Sequence, residues 1–252
     1  MKRIIGYFTL FITVALISAV LHLPANRVLP HLPLPPGLVV QGVHGTIWNG
    51  GAQQVRWQQQ QLGALQWQWQ WSGLLRAQAR LAVRFGRGSD MQWHGRGLVG
   101  YGWSGPFAER VFVSLPAQQV VPYLGLPVPL TFEGQLELTV HDYRYRSPWC
   151  ESAHGVLAWQ ESTVGSPLGE LELGAVMAEF SCQNNELELA GGQETSQVSS
   201  QFSLQLQANR SYRTDAWFKP GAEFPRSLGQ QLDFLPRPDS QGRYSFSQQG
   251  RF

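Results

Sequence analysis

A strict alternation of large apolar and polar side chains is what most restricts the fold of this chain. Leu65, Trp67, Trp69 and Trp71 alternate with Gln66, Gln68 and Gln70. A period of two places rings on one face of an extended strand and amides on the other. Ser72-Gly73 interrupts the run. Ala77, Ala79, Leu81, Val83 and Phe85 then alternate with Gln78, Arg80, Ala82 and Arg84, which predicts an antiparallel pair. The pattern returns in Leu130, Phe132, Leu136, Leu138 and Val140, set among Thr131, Glu133, Gln135, Glu137 and Thr139. It returns again in Phe202, Leu204, Leu206 and Ala208, set among Ser203, Gln205 and Gln207. One greasy and one polar face suits antiparallel sheet, because buried parallel strands read as continuous apolar runs. Helical signals are few. Ala117–Leu124 reads as a short helix or turn after Pro116 that Pro122 disrupts. Pro225–Leu235 reads as a helix with Leu228, Leu232 and Leu235 on one face.

The alternating chain also repeats itself. His44-Gly45-Thr46-Ile47-Trp48 is echoed by His154-Gly155-Val156-Leu157-Ala158-Trp159, and Leu62-Gly63-Ala64-Leu65 by Leu168-Gly169-Glu170-Leu171. More loosely, Pro116 through Gly134-Gln135-Leu136 is echoed by Pro220 through Gly242-Arg243-Tyr244. The offsets all fall at roughly 106–110 residues. A near-constant offset implies a duplicated β unit, with copies over residues 38–145 and 146–252. No linker-like composition separates them, so the copies are expected to share one continuous sheet.

Upstream, Met1-Lys2-Arg3 precedes an uncharged, mostly apolar run from Ile4 to Leu23. At about 1.5 Å per residue that run reaches across a hydrocarbon core roughly 30 Å thick. Lys2 and Arg3 lie ahead of it and only Arg27 close behind, which keeps the N-terminus in the cytoplasm. A cleaved signal peptide has a shorter apolar stretch and a small-residue cleavage site, and Leu21-His22-Leu23-Pro24 is not such a site. The expected order is a cytoplasmic tail (1–3), a transmembrane helix (4–23), a Pro-rich periplasmic stalk (24–37) and the two β units. On the oxidising side of a bacterial inner membrane, Cys150 and Cys182 are expected to form a disulfide.

Chemistry is harder to find. The net charge is +2 and no basic block occurs, so nucleic acid is not an expected partner. Gly100-Tyr101-Gly102-Trp103-Ser104-Gly105 has the letters of a dinucleotide-binding motif. Pro106 and the strand-like Val111 and Val113 follow where a helix must begin, so it reads as a glycine-rich β turn. His22, His31, His44, His94, His141 and His154 include no pair spaced as ligands on one helix, and no Cys-x-x-Cys exists. No metal or cofactor is expected. His44 and His154 occupy matching places in the repeat and are read as serving its geometry. Glu133 and Glu137 lie on a polar strand face, not as a carboxylate pair in a cleft. Asp142 follows His141, but no serine stands in a nucleophile elbow. No catalytic residue emerges, and the chain is expected not to be an enzyme. Trp48, Trp67, Trp69 and Trp71, with Trp93, fit either a core between sheet layers or a groove for an apolar ligand or a partner's strand. The segment Arg243–Phe252 has the aromatic alternation of a final outer-membrane barrel strand. A helix held in the inner membrane is incompatible with such a barrel.

Taken in order, several short stretches carry a family resemblance. They are the anchor, Gly45-Thr46-Ile47-Trp48-Asn49-Gly50, Leu62-Gly63 leading into Trp67, and Gly155-Val156-Leu157-Ala158-Trp159. Pro167-Leu168-Gly169-Glu170-Leu171, Leu228-Gly229 and Asp239 to Gly242 follow. Along nearly its whole length the chain resembles the type II secretion system protein N (general secretion pathway protein N) family. The resemblance implies a non-enzymatic accessory inner-membrane component of the machinery that exports folded proteins from the periplasm across the outer membrane. It implies partners among the inner-membrane platform or the secretin complex, and it carries over no functional residue. The expected fold is mainly β: a single N-terminal transmembrane helix, then a duplicated, curved, mostly antiparallel β domain with one or two short helices. That domain is either an open groove or a sandwich. By analogy with AsmA-type membrane proteins, the alternative is an anchored periplasmic module that binds or transfers lipid.

Overall fold

A computed structural model describes residues 2–31, 34–123 and 129–251, with the side chains of residues 2–6, 8 and 9 outside the description. The alternating runs become strands. The first seven are β1 (Leu38–Gly45), β2 (Asn49–Trp57), β3 (Gln60–Trp69), β4 (Ala79–Arg87), β5 (His94–Gly102), β6 (Gly105–Pro116) and β7 (Thr131–Arg144). The rest are β8 (Ser152–Ser166), β9 (Gly169–Gln183), β10 (Glu186–Glu194), β11 (Val198–Leu206), β12 (Ser211–Pro220) and β13 (Tyr244–Arg251). All thirteen form one sheet in sequence order, each antiparallel to its neighbours. The expected pair around Ser72-Gly73 is β3 and β4, with Trp67 opposite Val83. The strand ends at Trp69, however, and Trp71 opens a 3-10 turn over Trp71–Arg76. The glycine-rich segment at 100–105 is the β5–β6 hairpin turn, closed by Gly102 opposite Gly105.

Residues directly opposite in an antiparallel pair share a face, so the register can be followed across the whole sheet. One row runs Val43, Ala52, Leu65, Phe85, Gly95, Val113 and Leu138. It continues through Leu157, Ala178, Gly191, Phe202, Ala216 and Phe246. Every position in that row is apolar. The other face carries Gln66, Arg84 and Arg96 on β3–β5, and Glu188, Gln205, Arg213 and Gln249 on β10–β13. Rings lie on glycines along the apolar row. A Cβ at Gly155 would meet the Phe180 ring and the Thr139 carbonyl oxygen, so only glycine fits there.

The sandwich alternative does not form. Among the described residues there is one sheet, and each strand is hydrogen-bonded only to its sequence neighbours. The exposed surface is 17027 Å², against roughly 11,000 Å² for a compact monomer of this mass. Buried side chains are accordingly small: Ala52, Ala153, Ala158 and Ala178 are typical, while the large apolar residues of the row stay partly exposed.

Helix α1 runs Lys2–Leu21. Among the described residues no helix is long and apolar enough to cross a membrane. The described side chains of α1 are Tyr7 and Leu10 to Leu21, and they are exposed on all sides. Of the expected stalk, residues 24–31 are folded onto the sheet's first corner, and Leu32 and Pro33 lie outside the described residues. Pro24 forms a β-bridge to Thr46, and Ala25–Val28 forms a short helix, α2, packed against β1 with Ala25 buried. A 3-10 turn, Leu29–His31, continues it. Pro24 stands at the N-cap of α2, and Pro30 lies within the 3-10 turn.

From β2 onward the element order runs through the same series twice. Strands β2–β6 lead to 3-10 turns at Ala117–Gln119 and Val121–Tyr123, then β7. Strands β8–β12 lead to α3 (Arg226–Gly229) and a 3-10 turn, Gln230–Phe234, then β13. Pro116 ends β6 as Pro220 ends β12, and Gly63 and Gly169 sit near the starts of β3 and β9. The histidines break the match: His44 lies at the end of β1, whereas His154 lies at the start of β8. Leu124, where the first helix was expected to end, and Phe252 lie outside the described residues.

Candidate functional site

The indoles singled out by sequence converge where the sheet meets α1. Trp48 lies in the β1–β2 turn. Its ring centroid is 5.4 Å from Trp69, edge-on, and 4.9 Å from Trp71, and the Trp69–Trp71 separation is 6.3 Å. The Trp48 indole N–H donates to the Val20 carbonyl at 2.8 Å, and the Ile47 amide donates to the Leu23 carbonyl at 3.1 Å. These bonds hold this corner of the sheet against the last turn of α1. Trp67 stands one pair inward on the same face, over Gly50, and donates to the Ile47 carbonyl at 3.2 Å. Among the described residues no second sheet layer covers these rings. The Trp69 indole N–H is buried without an acceptor among the described residues, an arrangement that costs free energy unless a partner is supplied. Trp93 is separate: it closes the β4–β5 turn, 4.9 Å from Phe85, and donates to the Leu62 carbonyl at 2.9 Å.

Cys150 and Cys182 are bonded, with Cα atoms 6.3 Å apart. The bridge ties the β7–β8 connection to β9. Asn185 Oδ1 accepts from the Trp149 and Cys150 amides beside it, at 3.2 and 3.1 Å. Tyr143 donates to the Trp149 carbonyl at 2.7 Å, and burial first, then neighbouring Tyr145, pushes its phenol above the usual range.

The polar face holds a feature that reading along the chain misses. Arg84 stands directly opposite Arg96, and with Arg110, Gln66 and Gln68 they help line a hollow of about 620 Å³. Among the described residues no carboxylate pairs with these three. Arg80 instead pairs with Glu109 and lies over the Phe107 ring. Arg84 and Arg96 are twelve positions apart; only the hairpin centred on Asp90 makes them neighbours. That turn was the available signal.

Elsewhere, Asp215 and Asp239 are held below the usual carboxylate range, Asp215 chiefly by the Ser247 hydroxyl and Asp239 chiefly by the Arg243 amide. With Tyr143, all three shifts lead away from neutral pH, opposite to what proton transfer there would use. His141 and His154 stack at 5.3 Å across β7 and β8. Among the described residues no three metal-binding side chains gather.

The sheet that carries these features matches a known family. The family model described as type II secretion system (T2SS), protein N covers residues 36–247. The chain belongs to this family. Curated relatives extend the match over all of this chain. The type II secretion system protein N of Vibrio cholerae is 52% identical over the full length of both chains, and that of Aeromonas hydrophila is 38% identical, also over both in full. The Klebsiella pneumoniae protein is 29% identical over 82% of this chain and 81% of its own. No solved structure matches.

Proposed function

We propose that this chain is a non-enzymatic accessory component of the type II secretion machinery, held at the inner membrane by α1, with its sheet in the periplasm. Other secretion components dock on the sheet's free edge. The observation that carries this reading is the asymmetry of the two edges. The β1 edge is flanked by α2, whereas β13 is paired on one side only among the described residues and is mostly exposed. Soluble proteins guard such edges with proline, lysine or a cover. Tyr244 to Arg251 contains no proline and no lysine, and Arg251 is its one charge. A bare edge is a template for strand addition by a partner.

Support for the anchor comes from the sequence of α1 and its surroundings. Its apolar side chains point in every direction, and a helix that is apolar all round needs an apolar medium. Two units, β2–β7 and β8–β13, are proposed to have arisen by duplication, with β1 as an addition at the first edge. The twice-run element order supports this.

The test is site-specific photocrosslinking in cells that run the secretion system. Crosslinkers at Ser247 and Gln249 should capture a secretion-system component identified by mass spectrometry. If no such component is captured from β13 or from any other sheet position, the docking role is lost.

A second reading is favoured by the uncovered apolar row and the acceptor-less Trp69 indole N–H: the apolar face binds lipid, with a lipid carbonyl at Trp69. Native mass spectrometry of gently purified protein should then show bound lipid. Its loss in Trp69→Phe would locate the contact, and lipid-free protein would end this reading.

A further inference from the structure

We propose that the turns at the α1 end of the sheet rest on the anionic surface of the bilayer, with Leu75 and Trp103 entering the headgroup layer. This rests on the reading of α1 as a membrane anchor and extends it to the sheet itself. Because the strands run antiparallel in sequence order, the β1–β2, β3–β4, β5–β6, β7–β8, β9–β10 and β11–β12 connections all emerge at one end. That end is the one bonded to α1 through Trp48 and Ile47, so it lies level with the end of the helix. There is no spacer between them, because Pro24 is itself bridged to Thr46 in the first of these turns.

Large apolar side chains are exposed at both ends, Phe234 at 83% and Tyr123 at 60% in the opposite connections, and two are most fully exposed at this one. Leu75, in the β3–β4 connection, is 93% exposed, and Trp103, at the tip of the β5–β6 turn, is 92% exposed. Leu74 and Tyr101 beside them are also exposed. Tryptophan and tyrosine concentrate at membrane interfaces, where an apolar ring with a polar edge suits the headgroup layer. The charges agree with this placement. The connections at this end carry Arg76, Arg146 and Arg210, and their one carboxylate, Glu151, is paired with Arg146. The opposite end carries Asp90, Glu223, Asp233 and Asp239 against Arg226, Arg237 and Arg243, so its connections sum to −1 where those of the α1 end sum to +2. An anionic surface favours the first end over the second.

Since the two cysteines are bonded to each other, one introduced cysteine can be labelled alone without reduction. The full chain is reconstituted into phosphatidylcholine–phosphatidylglycerol vesicles with a fluorophore at Leu75→Cys, at Trp103→Cys, or at Gln59→Cys in an opposite-end turn. A lipid-borne nitroxide quencher reports proximity to the headgroups, and flotation of the same samples reports membrane association. Expected is flotation of all three, with severalfold stronger quenching at positions 75 and 103 than at 59. Flotation with equal quenching at all three overturns the seating and leaves the anchor standing. A chain that does not float overturns both.

Discussion

Arg80 places a charge within the polar face, its side chain only 11% exposed and paired with Glu109, itself 29% exposed. The energetics of such a pair are asymmetric. Removing one partner leaves an uncompensated, poorly solvated charge, whereas removing both does not. Arg80→Ala is therefore expected to destabilise β4–β6 by about 3 kcal/mol. The double change Arg80→Met with Glu109→Leu should cost less than that single change, measured by hydrogen exchange in these strands. Asp239 offers a pH test. It accepts from the Gln241 and Arg243 amides at 2.8 and 2.9 Å and from the Arg243 guanidinium at 2.9 Å. Its folded pKa lies below the ordinary 3.8. The sign follows from linkage: its contribution is fully present above the unfolded value and is lost as pH falls through the folded one. Asp215, whose carboxylate accepts from Ser247 in β13, shifts the same way. Both ties on β13 are thus expected to loosen only below about pH 4. Backbone protection across 239–247, corrected for intrinsic rates, should fall in that range and hold above it. Asp239→Ala should loosen the 239–243 turn at every pH.

At the scale of elements, the disulfide joins the irregular β7–β8 connection to a long strand. The bridged positions are 32 residues apart and each is 1% exposed. Losing that loop constraint costs about 3–4 kcal/mol in the chain-entropy model. Cys182→Ser should expose residues 145–151 to protease, and reduction of the parent should reproduce that pattern without adding to it in the variant. The same elements show what local sequence could reveal. Strands such as β3 and β4 were legible because a period of two is written within each strand. The turn at 100–105 was legible because strand-like Val111 and Val113 follow where a helix would have to run. The single layer was not legible, since Leu65, Trp67 and Trp69 alternate identically whether a second sheet covers them or not. The place of Pro24 was not legible, because its bridge partner Thr46 is 22 positions away. Arg84 and Arg96 met only through hairpin register, and His44 and His154 matched by letters while falling at different places in their strands.

The thirteen strands form one sheet in which each is hydrogen-bonded only to its sequence neighbours, with side-chain ties such as Arg80–Glu109 reaching one strand further, and that has a thermodynamic consequence. A compact domain unfolds cooperatively because each element packs on several others through a shared core. Here the coupling passes from strand to strand, as in a linear array of repeats, where stability is a sum of local and nearest-neighbour contributions. A lesion at the centre should therefore stay regional. Gly155 in β8 is the place to make it, since a side chain there would strike the Phe180 ring in β9 and the Thr139 carbonyl in β7. The carbonyl belongs to backbone and cannot swing aside, so Gly155→Val must part β8 from a neighbour. Hydrogen exchange on the full chain in detergent should show protection lost in β7–β9, including the strand bearing Cys182. Strands β2–β5 and β11–β12 should keep the protection they have in the parent. Denaturant should then remove the two flanking regions in separate steps, because the broken centre no longer couples them. If the valine instead abolishes protection across all thirteen strands together, the sheet behaves as one cooperative body. Coupling through neighbouring strands alone would then be too weak to account for it, and the apolar row would have to be covered in solution.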